Sequence, residues 1–332
     1  MIKILLNKYD KNDVVNMYLD IIKKSVDLSG NTCEVINDKS KVKRNDIVVT
    51  TNIDDAFKIF YSKKCRMINW YQGIRPEESY IRNKSLIKKN ILEYVEKKIL
   101  KKSLLNIFVS EGMKLHYERK YNLKISNYFI MPCFNAKLNG ESFNVSNKYK
   151  NLNFTYVGGL SKWQCIEETL RLYKSIEVKY NNASLKFLTN ETERANQLIK
   201  KYKIENVEIK YVKNDELFNE LKDVKYGFIL REDNPINFVA TPTKISTYLS
   251  NGIIPITTTK IHDTNIIFKD TDYKVFININ DNLEKNLQEI MKKNSILTDN
   301  EKILTDYTKI FDVYYNEKKY IEKLVEIFNG IL

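Results

Sequence analysis

Short apolar runs alternate with longer amphipathic stretches along nearly the whole chain, and no other feature limits the fold as much. Such runs suit strands buried on both faces, and the stretches between them suit covering helices. The pattern therefore predicts an α/β fold built on parallel sheets. In the first half the expected strands are 2–6, 46–51, 66–70, 106–110 and 128–131, with a helix over 11–29 that stops at Gly30. A polar stretch, 137–150, reads as a linker. The alternation then restarts, with strands expected at 153–157, 184–188, 207–212, 226–230, 253–257 and 274–279. Helices are expected near 165–180, 192–203, 214–222 and 242–250, and the amphipathic tail from about 298 to 331 reads as helix able to return over the first domain. The expected division is one domain over 1–150, a second over 151–305 and a C-terminal helix in 306–332. Two successive open α/β sheets put a ligand between them, at the carboxyl ends of the strands.

Charge separates the halves. Residues 1–150 hold 29 Lys/Arg against 16 Asp/Glu, whereas residues 151–332 hold 26 of each, so the whole excess of +13 lies in the first half. That half expects an anionic partner, whether a membrane surface, a phosphorylated acceptor or nucleic acid, or else it is a solvated lysine surface. Apolar residues at 43 % and charged residues at 29 % exclude general disorder. The four cysteines form no Cys-x-x-Cys pair and the two histidines, His116 and His262, lie far apart, so no metal is expected. The N-terminal apolar run is too short for a signal peptide and no run is long enough to span a bilayer. The expectation is a cytoplasmic, reduced protein.

The strongest local signal is Thr241-Pro242-Thr243-Lys244 leading to Ser250-Asn251-Gly252. Thr241 suits an N-cap, Pro242 the first helical turn and Gly252 the stop. Amides of Thr243 and Lys244 with the Lys244 ammonium would then suit a phosphate; a plain, well-capped helix fits the same residues. Gly158-Gly159-Leu160-Ser161-Lys162, directly after an expected strand, lets backbone approach a ligand with Lys162 beside it, or forms an ordinary tight turn. It is neither a dinucleotide fingerprint nor a P-loop. Arg231, Glu232, Asp233 and Asn234 follow another strand; Arg231 suits phosphate, and the acidic pair suits sugar hydroxyls.

In the first half, Trp70-Tyr71-Gln72-Gly73-Ile74-Arg75-Pro76 ends a strand with aromatic and amide groups suited to sugar. Residues 82–105 set eight Lys/Arg against Glu93 and Glu96 on an amphipathic pattern, fitting either a helix on an anionic membrane or a core helix with a solvated face. His116 is expected to face solvent and His262 to sit in a loop, and nothing supplies a catalytic triad.

Together these segments resemble the retaining GT-B glycosyltransferases, specifically family 4 (glycosyltransferase group 1) of bacterial surface-polysaccharide clusters. The resemblance spans about residues 45–330 and is densest in 70–79 with 110–121, in 154–163 and in 230–256. It implies two Rossmann-like domains facing each other across a cleft, the first binding the acceptor and the second a nucleotide-sugar. It further implies transfer from a UDP-sugar to a cell-surface glycan or lipid-diphosphate acceptor, with no cofactor, no metal and no nucleic acid. Lys162, Arg231 and Lys244 take the role of stabilising the leaving diphosphate. Gly158, Gly159, Ser161, Thr243 and Thr247 line the donor together with Glu232 and Asn234, Val212, Lys213 and Asn214 hold the base, and Gln72, Gly73 and Arg75 lie on the acceptor side.

The sequence departs from that pattern in three places. Val239 and Thr247 stand where members carry two glutamates, and Gln72 stands where they carry a histidine. Asn7-Lys8-Tyr9-Asp10 replaces their glycine-rich first turn. Glu232 is the candidate substitute carboxylate. The rival reading of the departures is a non-catalytic, glycosyltransferase-like subunit that positions an active partner. A nucleic-acid-binding protein is a distant third, since no zinc-finger, helix-turn-helix or RNP-like pattern is present.

Overall fold

The computed structural model describes residues 1–6 and 13–331; the Asn7–Asp10 turn lies outside the described residues. The chain divides into two compact units. One contains Met1–Cys133, Phe238–Thr241 and Asn316–Leu332, and the other Phe134–Asn237 and Pro242–Tyr315. The boundaries expected at 150 and 305 both fall inside the second unit.

The first unit carries a parallel sheet in the order β2-β1-β3-β4-β5-β6. Its strands are β1 (Ile2–Leu5), β2 (Cys33–Ile36), β3 (Ile47–Thr50), β4 (Arg66–Tyr71), β5 (Leu105–Phe108) and β6 (Tyr128–Ile130). Strands β1, β3 and β5 are buried along their whole length, as runs such as Ile47-Val48-Val49 require. The edge strand β2 was not expected: Glu34 and Val35 are exposed, so it carries no buried run to read.

The helices of this unit are α1 (Asp13–Leu28), α2 (Ile53–Lys63), α3 (Arg75–Asn83), α4 (Leu86–Lys102) and α5 (Glu111–Tyr121). Asn52 caps α2 and Ser110 caps α5, each accepting at 2.8 Å from the amide three residues on. The single helix expected over 82–105 is broken at Lys84, whose φ of 54° ends α3, and Ser85 caps α4 afresh.

The second unit repeats the architecture, with order β12-β11-β10-β7-β8-β9. Its strands are β7 (Asn153–Val157), β8 (Ser184–Leu188), β9 (Val207–Lys210), β10 (Tyr226–Ile229), β11 (Ile254–Thr257) and β12 (Val275–Phe276), all paired in parallel. The helices are α6 (Ile166–Lys179), α7 (Thr192–Tyr202), α8 (Leu217–Leu221), α9 (Pro235–Phe238), α10 (Lys244–Ser250), α11 (His262–Ile267), α12 (Leu283–Asn294) and α13 (Asn300–Tyr314). His262 thus opens a helix where a loop was expected, its Nδ1 2.9 Å from Asp263 Oδ1. The tail is two helices, and the last, α14 (Glu317–Ile331), packs on α1 in the first unit. Tyr18 of α1 and Tyr320 of α14 both donate to the Pro132 carbonyl, at 3.0 and 3.5 Å.

The stretch 137–150 is not a linker. It holds a short helical turn, Gly140–Asn144, that buries Ser142 and Phe143. Lys148 is 1 % exposed and donates to the Ser142 and Asn251 carbonyls, tying this stretch to the end of α10. Phe143 and Tyr149 crowd Gly252, whose φ is +66°. Polar composition misleads here because Lys148 spends its charge on backbone carbonyls inside the unit, while Asn139 Oδ1 accepts from the Glu141 amide.

Burial lowers the Lys148 ammonium to about 7 and, with the like charge of Lys293, that of Lys225 to about 8. A lysine with a depressed native pKa contributes stability that is complete above its unfolded value of 10.5 and is lost as pH falls through the native one. Unfolding free energy is therefore expected to rise between pH 7 and 10, by about 4 kcal/mol at most from Lys148. Chemical denaturation of Lys148→Met should show a flatter pH profile; an unchanged slope would remove Lys148 as its source.

Candidate functional site

In the second unit the strand order reverses between β7 and β10, and an open α/β sheet has its crevice at the carboxyl ends of two such strands. Those ends run into Gly158-Gly159 and Leu230-Arg231. Gly158 has φ +126°, which other residues rarely adopt, and a Cβ built there would lie 3.4 Å from Lys244 Nζ. Lys244 therefore reaches from α10 across the end of β7. Its Nζ donates to Gln164 Oε1 at 3.0 Å and sits 4.1 Å from the centre of the Tyr156 ring.

Lys244 is 8 % exposed and Arg231 2 %. Arg231 donates from Nη1 to the carbonyl of Leu230 at 2.7 Å. Among the described residues no carboxylate lies within 4 Å of either cation; the other basic groups of the unit that form ion pairs do so elsewhere. Burial, then the neighbouring Arg231, lowers the Lys244 pKa well below its usual range, and burial lowers that of Arg231. Two buried cations side by side without an anion leave a desolvation cost that no carboxylate of the unit offsets.

The surrounding loops are held from a distance. Glu191 Oε1 accepts from the Leu160 amide at 2.7 Å and would meet a Cβ on Gly159 at 3.4 Å, so it sets the glycine turn. Tyr248 accepts from the Val157 amide at 3.1 Å and donates to the Phe228 carbonyl at 3.3 Å, joining the ends of β7 and β10. Lys162 is exposed on the short turn Lys162–Gln164, which Ser161 precedes and Gln164 ends.

Thr241 does not cap α10. The helix starts three residues later, with Thr243 in the cap position, helical in φ and making no side-chain bond. A helix of seven residues has little dipole to offer, so the positive character of this region comes from the Arg231 and Lys244 side chains. Thr247 donates to Asn135 Oδ1 at 2.9 Å, as does Ser246 at 3.0 Å. Thr247 and Asn214 line one cavity of about 190 Å³ with Asn135, Asn139, Leu217 and Asn251, while Val212 and Lys213 stay outside it. Glu232 is exposed and accepts from Asn234 Nδ2 at 3.1 Å. Asn234 Oδ1 accepts from the Asn237 amide at 2.9 Å, and Asn237 Oδ1 is buried without a partner.

In the first unit each of the expected acceptor-side residues has its own surroundings. Gln72 is exposed, Gly73 lies under the Glu78 carboxylate, and Arg75 pairs with Asp54 at 3.5 Å. Beside them lies a charged cluster that the sequence did not signal. His116 is largely buried rather than solvent-facing, with Nε2 3.4 Å from Glu77 Oε1. Lys120 bridges Glu77, Glu93 and Glu96 at 2.6, 3.3 and 3.3 Å. Burial pushes the Glu96 carboxyl up to about 7, against the pull of Lys120 and Tyr121. Burial acts on Glu77 too, but hydrogen bonds from His116 and Lys120 overcome it and hold the acid at about 2. Among the described residues no three His, Cys, Asp or Glu side chains are grouped to hold a metal, and no helix is long and apolar enough to cross a membrane.

No family model matches the sequence, and no curated protein matches it either. Solved structures do. Sucrose-phosphate synthase from Thermosynechococcus elongatus aligns with a TM-score of 0.72 over 99 % of this chain and 98 % of its own, at 12 % identity. The Anabaena Alr3699/HepE protein, solved with UDP and glucose, aligns at 0.71 over 99 % of both chains, at 9 % identity. A glycosyltransferase from Rickettsia africae aligns at 0.66 over 99 % and 98 %, at 14 % identity. The chain has the GT-B fold. At such low identity the GT-B fold is what is shared. Within it, Arg231 and Lys244 are the two expected charge-stabilising residues that the second unit brings together in burial.

Proposed function

We propose that the protein is a retaining glycosyltransferase that moves a sugar from a UDP-sugar to a cell-surface glycan or lipid-linked acceptor at the cytoplasmic face of a membrane. The observation that carries this reading is the buried, unpaired Arg231–Lys244 pair beside the Gly158 turn. When the bond between the sugar's anomeric carbon and the diphosphate breaks, negative charge grows on the leaving UDP. Cations fixed in a low-dielectric site stabilise that charge more than they stabilise the intact donor. Lys162, exposed on the turn that ends in Gln164, supplies a third cation to a bound diphosphate. The cavity between Asn214 and Thr247 suits a nucleoside through neutral hydrogen bonds. The UDP found in the Anabaena protein supports the choice of nucleotide.

Melting curves against UDP, GDP, CDP, ADP and UMP test the reading. A ligand at a hundred times its Kd stabilises by about 2.7 kcal/mol. UDP is expected to raise Tm, and a bound diphosphate to draw the Lys244 pKa, which burial lowers, back up. Affinity should accordingly weaken as pH rises. Absence of a shift with every diphosphate would sink the proposal. UDP binding without any hydrolysis of a UDP-sugar panel would favour the non-catalytic subunit.

A further inference from the structure

Helix α4 is apolar on two faces. One face, Leu92, Val95, Ile99 and Leu100 with the buried Glu96, packs inward against α2 and α3. The other, Ile87, Ile91 and Tyr94, follows helical spacing along the outside and is 76, 59 and 56 % exposed, with Leu86 at 61 % beside it. A large apolar stripe left in water on a helix already anchored by its opposite face marks a contact surface.

Its surroundings say what it contacts. The same outer side continues into Lys98, Lys101 and Lys102, with Arg82, Lys84 and Lys88 exposed at the other end. The helix's two carboxylates are turned away: Glu93 pairs with Lys89 and Lys120, and Glu96 is fully buried. The exposed side is thus apolar in the middle, cationic at both ends and free of acid. A second copy of this chain would oppose like charges, whereas an anionic lipid surface accepts both features at once, with apolar side chains among the acyl chains and lysines at the headgroups.

We propose that α4 seats the first unit on an anionic bilayer, with Ile87, Ile91 and Tyr94 inserted and the flanking lysines on the headgroups. This deepens the membrane-face reading above and does not rest on the donor site, whose UDP-dependent melting shift is measured separately.

Sedimentation with phosphatidylcholine vesicles, with and without 30 % phosphatidylglycerol, tests it. The whole chain is expected to partition at least tenfold more strongly onto the anionic vesicles, and less so in high salt. Ile87→Ser/Ile91→Ser should lower that partition at least tenfold while leaving Tm and the UDP shift unchanged, since both side chains are already exposed. Lys98→Gln/Lys101→Gln/Lys102→Gln should lower it and reduce its salt dependence. Equal binding to both vesicles, binding indifferent to the serine variant, or a dimer that the serine variant abolishes in place of vesicle binding would each overturn the proposal.

Discussion

Lys244→Met is expected to make the ligand-free protein more stable and blind to UDP. The ammonium is buried beside Arg231 with Gln164 Oε1 and the Tyr156 ring as partners, neither of which carries a charge. Methionine fills a similar volume without that cost. Replacing buried charge by well-packed apolar groups stabilises by about 1–4 kcal/mol, and loss of the Gln164 hydrogen bond offsets about 1 of it. Urea unfolding should place the gain near 2 kcal/mol. UDP affinity should fall by at least tenfold, since a charge-assisted contact to phosphate is lost. A less stable variant that still responds to UDP would make Lys244 a structural residue. Stability gained with function lost is what a site held in strain for its ligand shows.

Gly227→Ala should cost about 3 kcal/mol and loosen the same site from behind. Gly227 lies in the middle of β10, where a Cβ would come within 2.5 Å of the Tyr248 ring. That ring is fully buried, so neither side can yield cheaply. Tyr248 also ties the Val157 amide to the Phe228 carbonyl and stands on the helix that presents Lys244 and Thr247. Displacing it shifts the strand ends together with the cation. Circular dichroism melts should show the loss, and UDP should rescue the variant less than the parent. A variant as stable as the parent would mean that the ring has room to move.

How much could be read from sequence differed by element. Strands buried on both faces announced themselves through runs such as Ile47-Val48-Val49 and Tyr226-Gly227-Phe228-Ile229, and every expected strand exists. Strand β2 was silent because an edge strand needs no such run. The glycine turn and the arginine after β10 were legible as local chemistry at strand ends. Their supports were not: Gln164 meets Lys244 across 80 positions, and Asn135 meets Thr247 across 112. Pairings that distant leave no trace in local spacing. The start of α10 was misplaced for the opposite reason, since Thr241-Pro242 satisfies every local rule for a helix opening while Thr241 receives the Cys133 amide at 3.5 Å instead. His116 does not face solvent because its charged neighbours in sequence fold into a buried cluster in space.

The packing of α14 on α1 reverses the order in which a ribosome's product would be completed. The first unit begins with Met1, yet Tyr320, Leu324 and Phe328 belong to its core. Until those residues leave the exit tunnel, the side of α1 that meets α14 has no cover. The second unit, finished by Tyr315, has all its parts earlier. Domains made first ordinarily fold first; here the half synthesised last can settle while the half synthesised first still waits for its final helix. Any break within α14 therefore damages the unit that holds α1.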